Sequence, residues 1–128
     1  MKGKSAGLRA LAAIFLALPV PVLAHHGSAS FDTKEVTLQG TITEFDWSNP
    51  HTEIYFDVKE ANGKVVHWGC ETLSPAKLKR AGWDSNIVKP GDMVTIDLVA
   101  AKNGAPVGYL HRLVLPDGRM FGIDEQRQ

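Results

Sequence analysis

Two stretches of alternating apolar and polar residues flank Ala61-Asn62-Gly63, and together they leave this part of the chain little choice but a β-hairpin. Ile54, Phe56 and Val58 share one face of the first stretch, with Glu53, Tyr55 and Asp57 on the other. Val66, Trp68 and Cys70 share one face of the second. Loop length then sets the register. A two-residue Asn62-Gly63 loop would pair Val58 with His67 and send the two apolar faces to opposite sides of the sheet. A three-residue Ala61-Asn62-Gly63 loop pairs Glu60 with Lys64, and so sets Val58 against Val66, Phe56 against Trp68 and Ile54 against Cys70. Only the second makes one face wholly apolar, so it is the register predicted, with Gly63 left-handed. The polar face then sets Asp57 opposite His67 and Glu53 opposite Glu71.

The same period and its punctuation extend the reading. Glu35 to Trp47 alternates through Val36, Leu38 and Ile42, then changes phase at Phe45 and Trp47, which predicts a bulge and a bend. Ser48-Asn49-Pro50 is a turn. Ser74 is a helix cap, Pro75 a first helical residue, Gly82 a helix end, and Leu73 with Leu78 a hydrophobic staple. A helix this short must dock on a sheet to persist. Lys89-Pro90-Gly91-Asp92 leads into Met93 to Ala101, Asn103-Gly104 into Val107 to Leu115, and Asp117-Gly118 into Met120 to Ile123. Five strands with a helix between the third and fourth, plus a C-terminal hairpin, is the order of the OB-fold, a five-stranded Greek-key barrel. The fold class predicted is all-β with one short helix; an open sandwich is the competing architecture.

The N-terminus reads as a secretory signal. Lys2, Lys4 and Arg9 precede an unbroken apolar run from Ala10 to Leu18, and Pro19 to Ala24 closes with Val22-Leu23-Ala24. The run is about half the ~20 apolar residues that a membrane span needs. Cleavage behind Ala24 predicts a periplasmic or secreted protein of 104 residues, one domain in size. Residues 25–34 read as a loose arm, 35–123 as the barrel and 124–128 as a disordered tail. The mature chain would carry 11 basic against 14 acidic side chains, a balance without the electrostatic footprint of a nucleic-acid or anionic-lipid binder. Cys70 is the single cysteine, so no internal disulfide forms and a buried thiol is expected.

His25-His26-Gly27, Val36-Thr37-Leu38-Gln39-Gly40-Thr41, Trp47-Ser48-Asn49-Pro50-His51, Ser74-Pro75, Gly82-Trp83, Lys89-Pro90-Gly91-Asp92 and Leu115-Pro116-Asp117-Gly118 occur in that order. In these motifs the chain resembles the small exported bacterial proteins of the domain-of-unknown-function family 6152. The resemblance spans essentially the whole mature chain. It implies export and a compact β domain, and no particular activity.

Three constellations could carry chemistry. Cleavage would make His25 the N-terminal residue, whose amine and imidazole can chelate one ion together. A third nitrogen from His51 or His111, with His26 able to add to the set, would complete a site suited to Cu(II). Zinc offers less reason for an amine ligand. The bland alternative is a polar tail whose histidines touch nothing. Second, Asn49-Pro50-His51 places His51 on the face of Glu53, Tyr55 and Asp57, where it is either a ligand or an ordinary exposed histidine. Third, Asp57 opposite His67 could orient a ligand, although such cross-strand pairs commonly contribute only ~0.2–1 kcal/mol. His111 is ambiguous. It points inward if Tyr109, Leu113 and Leu115 do, while the opposite phase would bury Arg112. Trp68 and Trp83 read as core; Trp47, at a strand end, could be a stacking platform.

No serine elbow, phosphate loop or His-Glu-x-x-His helix appears, and a buried Cys70 is a poor nucleophile. The sequence therefore points to a binding protein and not an enzyme. Copper held by the mature N-terminus is the leading function. The alternative is a metal-free module that contacts an envelope protein or a small ligand through Trp47, Asn49, Tyr55, Asp57 and His67.

Overall fold

The computed structural model describes residues 31–123. The expected signal peptide, His25, His26 and the expected tail at 124–128 lie outside the described residues. Six strands and one helix follow one another as β1 (Phe31–Asp46), β2 (Glu53–Lys59), β3 (Val65–Glu71), α1 (Pro75–Arg80), β4 (Met93–Ala101), β5 (Val107–Val114) and β6 (Met120–Gly122).

The central hairpin has the three-residue loop. Glu60 and Lys64 close it through Glu60 N–H to Lys64 O at 2.8 Å, and Gly63 sits at φ 85°. Val58 faces Val66, Phe56 faces Trp68, Ile54 faces Cys70, Asp57 faces His67 and Glu53 faces Glu71. Choosing the register that left one apolar face was therefore sufficient.

β1 is the strand that bends the sheet into a barrel. Its first part pairs antiparallel with β4 and its last part with β2, with Thr41 common to both. The register jumps between Ile42 and Glu44, so Thr43 is an extra residue. That bulge inverts the phase: Val36, Leu38 and Ile42 turn to the core before it, and Phe45 and Trp47 after it. β1 starts at Phe31, so residues 31–34 belong to this strand and not to the loose arm expected there. A register shift between Phe31 and Glu35 interrupts the alternation that would have marked them as strand. Phe31 packs instead by its ring, 6.3 Å from that of Tyr109.

Closure comes from a pairing remote in sequence. Gly69, Cys70 and Glu71 of β3 lie parallel to Val107, Gly108 and Tyr109 of β5. The ring β1–β2–β3–β5–β4 is the OB-fold barrel, with β6 added to β5 as a hairpin. Gly108 lets β5 lie close against β4 on the other side. A Cβ there would stand 2.7 Å from both Leu98 Cδ1 and the Val99 carbonyl oxygen.

The helix docks through Leu78, which is fully buried in the core. Its C-terminus is a Schellman turn, with Gly82 N–H to Lys79 O at 3.1 Å and Trp83 N–H to Leu78 O at 3.0 Å. Trp83 is buried and donates its indole N–H to the Gly122 carbonyl at 3.1 Å, tying the helix exit to β6. Ser74 holds the cap position, but its side chain makes no capping bond. Thr52 and Thr72 are buried, and neither hydroxyl has a hydrogen-bond partner among the described residues.

Neither sequence phase for β5 is the one adopted. Asp97 pairs with Arg112 while Leu98 pairs with Leu110, so His111 is a bulged residue. The bulge lets Leu110 and Leu113 both bury completely and leaves His111 and Arg112 outside. Arg112 then lies over Asp97, whose side chain is 3% exposed. It donates to the Asp97 carboxylate from Nε at 2.6 Å, and Thr37 Oγ1 donates to the same group at 2.6 Å.

Candidate functional site

Two neighbouring regions of the barrel exterior gather the polar residues singled out above. The first is the outer face of β1, β2 and β3. Glu44, Tyr55 and Gly69 form one row across it, and Asp57 and His67 the next. Gly69 has no side chain, and the Tyr55 ring lies over it; a Cβ at Gly69 would meet Tyr55 Cε1 at 3.2 Å. These residues, with Pro106 from the β4–β5 loop and Val107 at the start of β5, line a groove of about 600 Å³. No lysine or arginine lines it. Lys59 and Lys64 belong to the hairpin tip.

Acidic groups dominate its charge. The Tyr55 hydroxyl donates to Glu53, and the His67 ring meets Asp57 through Nδ1. The bond to Glu53, then burial, then the charges of Glu53, Glu44 and Asp46 push the Tyr55 phenol from 10.0 up to about 12. The folded state thus holds this proton above the pH at which the unfolded chain releases it. The stability it adds is whole below about 10 and is lost as pH rises toward about 12. With Tyr109 changed to Phe, the remaining phenolate absorbance should titrate near about 12. Glu53→Gln should return it toward 10.0; an unmoved midpoint would count against the Glu53 bond.

The second region lies where β3 meets β5. His51 Nδ1 is 3.7 Å from Glu71 Oε2. Glu71 is the parallel neighbour of Tyr109, whose ring meets that of His111 edge-on at 6.1 Å. His111 Nδ1 lies 2.7 Å from Glu35 Oε2. Phe31 packs on the same Tyr109 ring that meets His111. Among the described residues, no three His, Cys, Asp or Glu side chains stand close enough to hold a metal by themselves.

The other expected contact residues are placed less prominently. Trp47 is half-buried, edge-on to Phe45 at 5.6 Å and packed against the core. Asn49 is exposed, in the turn before the cis Asn49–Pro50 bond. Cys70 is buried, and burial first, then the Glu53 charge, push its thiol well above the ordinary range, which leaves no thiolate nucleophile. Glu44, Gly69 and Val107 in the groove, and Glu35 beside His111, carried no sequence signal. Strands distant in the chain bring them in.

The family model of a family of unknown function, DUF6152, matches residues 13–110. The chain belongs to that family. No curated protein matches it in sequence. Among solved structures, the fold is similar to that of the mitochondrial single-stranded DNA-binding protein Rim1 from S. cerevisiae. The TM-score is 0.51 at 14% identity, over 66% of this chain and 95% of that one. This likeness agrees with the OB-fold read from the strand order and extends to the fold alone.

Proposed function

We propose that this DUF6152 member is an exported OB-fold protein that holds a transition-metal ion, copper in first place, at its mature N-terminus. Cleavage behind Ala24 supplies the amine and imidazole of His25; His51 or His111 supplies a further nitrogen, with His26 in reserve. The observation that carries this reading is the seat of Phe31 on Tyr109, beside His111 and one strand from Glu71 and His51. His25 precedes Phe31 by six residues, a reach of at most about 20 Å in extended chain. The barrel is the platform, the arm brings the chelate, and the protein stores or hands on the ion without transforming a substrate. The carboxylates on its exposed faces argue against the ligand of the DNA-binding fold relative, because they would meet phosphates of like sign.

The experiment is a Cu(II) titration of the processed protein with its natural N-terminus, read by electron paramagnetic resonance. A nitrogen-rich signal that is lost on acetylating the N-terminus, and altered in His51→Ala or His111→Ala, is the expected result. Binding no tighter than that of the buffer overturns it. The intact mass of the exported protein tests the processing; a mass retaining residues 1–24 removes the amine ligand.

A further inference from the structure

We propose that the open edge of β3 over Val65–Trp68 takes an extended, lysine- or arginine-bearing segment of a partner protein as an added strand. On that side β3 is covered only from Gly69 onward, where it runs beside β5. Gly69 donates its amide to the Pro106 carbonyl at 3.1 Å, so its backbone groups point away from β2. The two-residue period aims those of His67 and Val65 the same way. Among the described residues, no strand runs along them. Natural edges are blunted by proline, by bulges, by charged side chains or by lying very short. This stretch is short, but it has no proline, bulge, lysine or carboxylate of its own, and Val65 is 47% exposed.

The groove beside the edge selects the partner's chemistry. Trp68 and Val107 give the opening apolar walls, and Glu44 and Asp57 lie along its far side. The Tyr55 ring over Gly69 bridges the two. A cationic side chain from an added strand can rest on that ring and meet the carboxylates behind it. Backbone bonds to Val65 and His67 would supply affinity, and alternate side chains the selectivity. This site uses atoms separate from those proposed for copper.

The test uses metal-free protein with an acetylated N-terminus, so its outcome does not depend on copper binding. The probes are a synthetic peptide of alternating valine and lysine, and its counterpart with glutamate for lysine. The readout is hydrogen exchange and amide shifts residue by residue. The lysine peptide should slow exchange at Val65 and His67, and the glutamate peptide should not. Glu44→Gln with Asp57→Asn should weaken binding by about threefold to tenfold, as expected for two rim charges. Val65→Pro should abolish it, since the amide removed faces outward. Should that variant misfold, the charge pair decides. Equal binding of both peptides overturns the proposal, as does protection confined to another strand or no protection with either peptide. Protection that rises with protein concentration alone would make the occupant a second copy, and equal protection by a single-stranded oligonucleotide would make it a nucleic acid. Either result also overturns the proposal.

Discussion

Phe56→Ala is expected to destabilise the protein by about 3–5 kcal/mol, the largest effect of any single truncation on β2. Phe56 is 0% exposed. It is paired with Ile42 on one side and stacked on Trp68 on the other, with ring centroids 6.4 Å apart at 19°. Its ring also fills the space over Gly40, where an added Cβ would stand 2.7 Å from Phe56 Cδ2. Removing it opens a cavity where the three strands of the central sheet meet, and the backbone cannot collapse to fill it without breaking two ladders. For a domain of this size, each kcal/mol lowers Tm by about 4–8 °C, so a fall of more than ~12 °C is expected in a thermal melt. Tyr55→Ala, one position away on the outer face, is the control. Tyr55 is 37% exposed, and loss of its side chain should cost far less. Similar losses at the two positions would contradict the assigned faces.

Arg112→Ala is expected to cost about 2–3 kcal/mol, by leaving the Asp97 carboxylate buried with the Thr37 hydroxyl still donating to it but without its cationic partner. The cost falls at or just below the low end of the ~3–5 kcal/mol for broken buried pairs because Arg112 is itself 53% exposed, and water enters when it is removed. Asp97→Ala removes the charge as well as the bond. A double-mutant cycle by urea denaturation should therefore show the double variant less destabilised than the sum of the singles, by about 1–3 kcal/mol. Additivity within ~0.5 kcal/mol would mean that the pair does not act as a unit.

The origin of this pair explains much of what was hard to read in the sequence. Met93 to Ala101 alternates cleanly, and on that pattern Asp97 is an outward residue. It is outward, yet covered, because the bulge at His111 shifts Arg112 into line with it. Nothing local marks His111 as the extra residue. One regular phase would bury it and the other would bury Arg112, and the bulge avoids both by letting Leu110 and Leu113 reach the core. The bulge at Thr43 was legible because Phe45 and Trp47 are large enough to announce the new phase themselves. The arm illustrates the opposite case. Asp32 and Lys34 look like loop, and the contact of Phe31 with Tyr109 from β5 ties this stretch to the barrel.

The candidate sites divide in the same way. Tyr55, Asp57 and His67 were on one face by period alone, since a strand's side chains alternate whatever it is packed against. The approach of Glu71 to Tyr109 depends on the parallel β3–β5 contact, between strands separated by the helix and all of β4. Within one hairpin, the sequence by itself determined loop length, register, the inward face and the helix stop, because each is set by the hydrophobic period and by turn residues a few positions apart. The tertiary structure alone decided which outer faces become neighbours. That depends on how a bent first strand and a closing contact wrap the sheet, and the energy of that closure is spread over the whole core and not over any motif.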